Sequence, residues 1–190
     1  MSVYDLPKSV EVGGVEREIR WDYRPILDIL IAQNDPDLDE QAKAIVLLVI
    51  FYPNLSQIPT EQWEEAARKA CEFIDCGMSG DEKAPRLIDW EQDFVKIIGP
   101  VNRILGVDAR SIPYDPESND GGLHWHSFIS AYMEIGECLF SQIVRIRDLK
   151  ARGKPLDKSD REWYQRNRDL VDLKAHYSDA ENNFLQEWIG

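Results

Sequence analysis

The sequence predicts a mainly α-helical protein of about six helices with an N-terminal β-hairpin. Three observations carry this prediction. Apolar residues recur at spacings of three and four along most of the 190 residues, which is the period of one helix face. Residues 10–21 instead alternate apolar and charged positions on either side of Gly13-Gly14. Prolines and glycines separate the periodic segments, so each helix has a defined end.

The hairpin is predicted over about residues 9–21, with Val12 opposite Val15 across the two glycines. In the second strand, Val15, Ile19 and Trp21 share one face and charged residues occupy the other, which is typical of a half-buried strand. A lone hairpin is only marginally stable. We therefore expect it to pack on helices or to join a partner's sheet.

Three helices are predicted in the next fifty residues. Asp22 is a candidate N-cap for a helix from Tyr23 to about Gln33. A second helix runs from about Asp39 to Phe51, and its apolar second half, residues 45–52, predicts deep burial. Thr60 is a candidate cap for a third helix that ends near Asp75.

Two longer helices are predicted in the second half. The fourth spans about Asp89 to Leu105, and Gly99-Pro100 predicts a kink or a division into two pieces. The fifth spans Leu123 to about Lys150, and its apolar residues form a seam typical of packing along another helix. Gly136 within this seam costs about 1 kcal/mol relative to alanine, and we expect close approach of a second backbone there.

The last helix is predicted to begin at Ser159, with Glu162 completing a capping box, and to end near residue 174. The tail, residues 175–190, carries four large apolar residues and is expected to dock on the rest of the protein; these are Phe184, Leu185, Trp188 and Ile189. The hairpin, a helical body over about residues 22–174, and the tail are assigned to one domain, 1–190.

Charge and composition narrow the classes of partner. Twenty-two basic and 35 acidic residues give a net charge of −13, which repels phosphates and anionic lipids, so neither nucleic acid nor a membrane is a predicted partner. The three cysteines, an odd number, favour free thiols in a reducing compartment. The longest apolar run has eight residues, fewer than the roughly 20 that span a bilayer, and the first residues lack a secretory pattern.

The sequence contains no phosphate-binding glycine motif, and we predict no catalytic residue, metal or cofactor. The one metal alternative combines His124 and His126 with Asp115 or Glu117 from the preceding loop. Because residues two apart lie about 200° apart around a helix, capping and packing are the favoured roles of both histidines.

A basic segment stands out against this acidity. Residues 145–168 contain nine basic and four acidic side chains. One interpretation is a docking strip for an acidic partner or for the acidic face of another copy. The other, which we favour, is a solvated helical hairpin laced with ion pairs. Trp163 and Tyr164 inside the segment favour an interface slightly.

Four segments together resemble a bacteriophage tail-region family known as the "gene product fifteen" family. The matching segments are Ile19–Arg24, Asp89–Asp93, Gly122–Phe128 and Lys150–Leu156. The resemblance as a whole extends over most of the chain, from about Leu6 to Leu173. The most specific match is Leu123–Phe128, where the family has Leu-His-Trp-Trp-x-Phe. His126 stands where a second tryptophan is usual, which puts the stacking role of that second ring in doubt.

The resemblance implies a tail assembly chaperone without enzymatic activity. Such a protein would bind the tape-measure protein in the host cytoplasm, assist the tail tube protein in polymerising around it, and be absent from the mature virion. The alternative is a structural virion protein, such as a tail completion or adaptor component. Self-association into a homo-oligomer is a further expectation.

The predicted partner-binding residues come from the matching motifs, the long apolar seam and the basic segment. They are Asp22, Tyr23, Arg24, Leu123, His124, Trp125, Phe128, Ile129, Tyr132, Leu139, Arg152 and Trp163.

Overall fold

The computed structural model describes residues 4–77 and 84–178. The chain is mainly α-helical with an N-terminal antiparallel hairpin, which confirms the predicted fold class. Its internal contacts divide the described residues into two compact units. The first unit comprises residues 4–77, 112–128 and 176–178, and the second comprises residues 84–111 and 129–175. None of the helices within these ranges is long and apolar enough to cross a bilayer.

The first unit contains two small antiparallel ladders, three complete helices and the first turn of a fourth. Its elements are β1 (Ser9–Val12), β2 (Val15–Glu18), α1 (Tyr23–Ala32), α2 (Glu40–Phe51), α3 (Trp63–Ile74), β3 (Tyr114–Asp115), β4 (Asp120–Gly121) and the start of α5 (Trp125–Met133).

The hairpin has the predicted register, with Val12 paired to Val15. Gly13 and Gly14 have φ angles of +59° and +74°, which a two-residue turn of this hand requires and which glycine adopts without strain. The predicted half-buried face of the second strand is wrong at Val15, which is exposed. Strand β2 ends at Glu18, so Ile19, which is buried, lies just beyond the strand.

The caps of α1 and α2 follow the prediction. Asp22 accepts a hydrogen bond from the backbone N–H of Arg24, and Asp39 accepts one from Ala42. Thr60 does not cap α3, because residues 60–62 form a 3₁₀ turn and α3 begins at Trp63.

The predicted burial of α2's second half is only partly correct. Leu47, Leu48 and Phe51 are buried, whereas Ile45 and Val49 are about half exposed. One side of α2 packs on α1 and α3, so the apolar residues on its other side face solvent.

The second unit is entirely helical within its described residues. Its elements are α4 (Trp90–Leu105), a 3₁₀ turn (Ala109–Ser111), the rest of α5, α6 (Leu139–Ala151), α7 (Lys158–Arg166) and α8 (Arg168–Val171). The fourth helix was predicted to begin near Asp89, and Asp89 is the N-cap of α4. The helix is not divided at Gly99-Pro100: it runs through Pro100. A proline inside a helix costs one backbone hydrogen bond. The burial of Ile97, Ile98 and Val101 on either side of Pro100 offsets that cost.

The predicted fifth helix is two helices. Helix α5 ends at Met133 and α6 begins at Leu139. Between them Gly136 has a φ of +62°, and the nearest neighbour of a Cβ built there is the carbonyl oxygen of Glu134, at 3.9 Å. The expected close approach of a second backbone is therefore wrong, and Gly136 instead adopts a left-handed conformation within the five-residue connection between the two helices.

The last predicted helix is also divided. Asp157, rather than Ser159, caps α7 by accepting a hydrogen bond from the N–H of Asp160. Asn167 separates α7 from α8. The apolar residues of the predicted docking tail lie outside the described residues.

Candidate partner-binding site

Asp22 joins the start of α1 to the segment before α5 within the first unit. Its side chain is fully buried, and its two oxygens accept hydrogen bonds from the backbone N–H groups of Arg24 (2.9 Å) and Leu123 (2.7 Å). The Arg24 guanidinium also donates to both oxygens. The buried carboxylate is thus both paired and hydrogen-bonded, which offsets the large free-energy cost of removing its charge from water.

Aromatic residues of the Ile19–Arg24 and Gly122–Phe128 motifs pack on one another. The ring of Tyr23 stacks on that of Phe128, with centroids 4.7 Å apart, and both side chains are buried. Two backbone bonds fix the segments together: the Tyr23 N–H donates to the carbonyl of Leu123, and the Trp125 N–H donates to that of Trp21.

His124 is buried in its neutral form. Its Nδ1 accepts a hydrogen bond from the backbone N–H of His126 (3.0 Å), so Nε2 carries the proton and donates to the carbonyl of Pro7 at 2.8 Å. Burial lowers the pKa of His124; the hydrogen bond to the Pro7 carbonyl opposes this, and electrostatic interactions with His126 and Lys8 add to the lowering. Its ring stacks on Trp21.

The two residues after His124 bind the end of α3. The indole N–H of Trp125 donates to the carbonyl of Ile74 (2.8 Å), and Nε2 of His126 lies 3.0 Å from the carbonyl of Phe73. No group of three or more His, Cys, Asp or Glu side chains in the described ranges is placed to hold a metal ion.

The structure therefore gathers the N-terminal and Leu123–Phe128 motifs into one buried junction. The side chains of Asp22, Tyr23, His124, Trp125 and Phe128 are all at most 4% exposed. Leu123 and Arg24 are partly exposed, and an Nη of Arg24 donates to the carbonyl of Ile112. These residues hold the first unit together rather than presenting a surface.

The remaining seam residues lie in the second unit and do not form one stripe. Ile129 and Tyr132 are partly buried, and burial raises the pKa of Tyr132 to about 12. Leu139 is 49% exposed, whereas Ile143 is fully buried. The predicted continuous seam is wrong, because the break between α5 and α6 changes the direction of every residue after it.

The break between α5 and α6 instead forms an open, mostly apolar cleft of about 410 Å³. We call it the helix-break cleft; it is lined by Tyr132, Met133, Ile135, Gly136, Phe140, Ser141, Val144 and Arg145. Met133 is 61% exposed, and its unbranched thioether side chain adapts to different surfaces.

Sequence reasoning missed the cleft because it treated residues 123–150 as one helix. The signals that indicate the break are Gly136 and the pair Cys138 and Ser141, which cap each other at the start of α6.

The basic segment is paired with acids only in part, so both interpretations of it stay open. Four of its nine cations form ion pairs: Arg145 with Asp160, Arg147 with Asp93, Lys150 with Asp172 and Arg152 with Asp148. Trp163, a predicted binding residue, packs against the buried cluster of Ile143, Ile146 and Val171. Arg152 is exposed.

Comparison with known proteins finds no relative: no family model, no curated protein and no solved structure is significantly similar to this chain.

Proposed function

We propose that this chain is a phage-encoded or prophage-encoded binding protein of the tail assembly chaperone kind. It associates with the tape-measure protein in the host cytoplasm and assists assembly of the tail tube, without enzymatic activity. The observation that carries the proposal is the helix-break cleft, with the exposed Met133 inside it and the exposed Leu139 beside it.

The cleft suits an apolar helix face. Amphipathic helices bind other proteins by placing residues spaced three and four apart into apolar grooves. The lining of this cleft includes the buried residues Ile135 and Phe140 and the exposed, conformationally adaptable Met133. A tape-measure protein, which the family resemblance implies as the partner, is a long helix-rich chain that offers such faces repeatedly.

The charge of the chain supports the same function. A net charge of −13 keeps a complex in solution when the partner alone would aggregate. The Ile19–Arg24 and Gly122–Phe128 motifs lie in the buried junction, so in this proposal they maintain the fold and the cleft residues bind.

Co-expression with the tape-measure protein from the same genome tests the proposal. We expect the wild-type chain to bring that protein into the soluble fraction as a complex, and the variant Met133→Asp/Leu139→Asp to lose the complex. Val95→Asp/Ile104→Asp is the matched control, because Val95 and Ile104 are 74% and 44% exposed aliphatic residues on α4 outside the cleft. Circular dichroism of each variant checks that the helices are retained.

Two results would contradict the proposal. Undiminished complex formation by the Met133→Asp/Leu139→Asp variant would remove the cleft from the interaction. Detection of the chain at fixed stoichiometry in purified virions would favour a tail completion or adaptor component instead.

A further inference from the structure

One face of the hairpin carries three glutamates without a basic partner. Glu11 and Glu16 are directly opposite each other across β1 and β2, and Glu18 follows on the same face. All three are exposed, and none forms an ion pair with the described residues. Like charges directly opposite in a strand pair are destabilising. We call these three residues the glutamate face.

The second unit carries the complementary surface. Lys158, Arg161 and Arg166 lie on the solvent side of α7, and Lys154 precedes the helix; all four are exposed. Arg161 donates to the carbonyl of Leu156 and Arg166 to that of Glu162. Within the described part of the chain none of the four reaches a carboxylate, so their charges are not neutralised. We call them the basic face.

The two faces belong to units of opposite charge. The described residues of the first unit contain 7 basic and 18 acidic side chains, a formal charge of −11. Those of the second contain 14 basic and 12 acidic side chains, a formal charge of +2. Most of the excess negative charge of the described residues therefore lies in the first unit, away in sequence from the basic face.

We propose that copies of this chain associate head to tail, with the basic face of one copy on the glutamate face of the next. A second copy is the occupant that the charges favour, because it supplies both complementary surfaces at equal concentration. The contact is heterologous, so each added copy leaves one face of each kind free, and the assembly grows until a ring closes or a filament forms. This inference goes beyond the proposed function and does not depend on it.

Sedimentation of the purified full chain measures the association. At low salt the wild type is expected to form species heavier than the 22.0 kDa monomer, increasing with protein concentration. These species should be lost at about 1 M salt, where the Debye length falls to about 3 Å. The variants Lys158→Glu/Arg161→Glu and Glu11→Lys/Glu16→Lys should each be monomeric.

A mixture of the two variants gives the sharpest test. The intact basic face of one variant matches the intact glutamate face of the other, and the two reversed faces also match each other in charge. The mixture should therefore regain association, with the two variants alternating, whereas each variant alone stays monomeric. The control Glu91→Lys/Glu117→Lys changes net charge by the same amount as Glu11→Lys/Glu16→Lys at exposed sites elsewhere, and it should associate like the wild type. Circular dichroism verifies that each variant is folded.

A wild-type chain that stays monomeric at low salt and high concentration would overturn the proposal. So would folded face variants that associate as strongly as the wild type, or a variant mixture that contains only monomers.

Discussion

Arg147 in α6 and Asp93 in α4 form a bidentate ion pair inside the second unit. The Nη1–Oδ2 and Nη2–Oδ1 distances are 2.5 and 3.1 Å, and the two side chains are 5% and 0% exposed. Arg147 also donates to the carbonyls of Leu87 and Val171. One buried guanidinium therefore joins α6 to the segment before α4 and to the end of α8.

Removing the carboxylate of Asp93 from this pair should destabilise the protein strongly. Asp93→Asn leaves the buried Arg147 without its counter-charge, and we expect a loss of about 3–5 kcal/mol in the free energy of unfolding. The double variant Asp93→Asn/Arg147→Met should lose less than the sum of the two single variants, because no unpaired cation remains buried. Urea unfolding of the four proteins measures this, and strictly additive losses would contradict the pairing.

The same pair predicts a dependence of stability on pH. Burial raises the pKa of Asp93, but the Arg147 guanidinium, the Asp89 N–H and Lys96 together bring it below its usual value of 3.8. The contribution of the pair is thus fully present above that value and is lost as the pH falls through the lowered pKa. Stability measured from pH 5 downward should fall more steeply for the wild type than for Asp93→Asn.

His124 predicts a second dependence at higher pH. Because its pKa is lowered by burial, the unfolded chain takes up a proton at a pH where the folded chain does not. Stability should therefore be at its full value above about pH 6.5 and decrease as the pH falls from there toward the lowered pKa of the folded chain. In His124→Gln, whose amide can still donate to the carbonyl of Pro7, this part of the pH profile should be flatter. Equal slopes in both proteins would show that His124 does not cause the decrease.

Gly122 and Gly153 offer a matched pair of substitutions. Both have positive φ angles, +90° and +64°, so alanine brings backbone strain of about 1–2 kcal/mol at either position. A Cβ at Gly122 would also lie 2.3 Å from Oδ2 of Asp22, whereas one at Gly153 has nothing within 4 Å. Displacing that buried carboxylate from the Leu123 N–H adds about 1–3 kcal/mol to the loss in the free energy of unfolding. Chemical unfolding should find Gly122→Ala the more damaging, and equal losses would contradict the close packing at the junction.

The features predictable from the sequence are those that adjacent residues decide. Asp22 was predicted to cap a helix, and Asp39 and Asp89 were predicted to lie at helix starts. Each of the three accepts a hydrogen bond from a backbone N–H two or three residues later. The hairpin register was predictable for the same reason, because Gly13-Gly14 fixes which residues face each other.

The spacing of apolar residues does not predict the direction of the chain after a helix is interrupted. Counting apolar residues through Gly136 gave one helix, although α5 ends at Met133 and Gly136, with a positive φ, lies in the connection that lines the cleft. Nor does spacing identify partners distant in sequence: Asp93 and Arg147 are 54 residues apart. Several predicted site residues come from motifs whose aromatic side chains are buried in the core. The sequence analysis did not name Met133, which lines the helix-break cleft.

A substitution at the N-cap of α6 should raise the free energy of unfolding. Sγ of Cys138 accepts a hydrogen bond from the Ser141 N–H at 3.5 Å, and the Ser141 hydroxyl accepts one from the Cys138 N–H. Sulfur is a weak acceptor, whereas serine is among the strongest N-cap residues. Cys138→Ser should therefore raise the free energy of unfolding by about 0.5–1 kcal/mol, and Cys138→Ala, which has no acceptor, should not. Urea unfolding under reducing conditions compares the three proteins, and a serine variant less stable than the wild type would show that the thiol contributes more by packing than by capping.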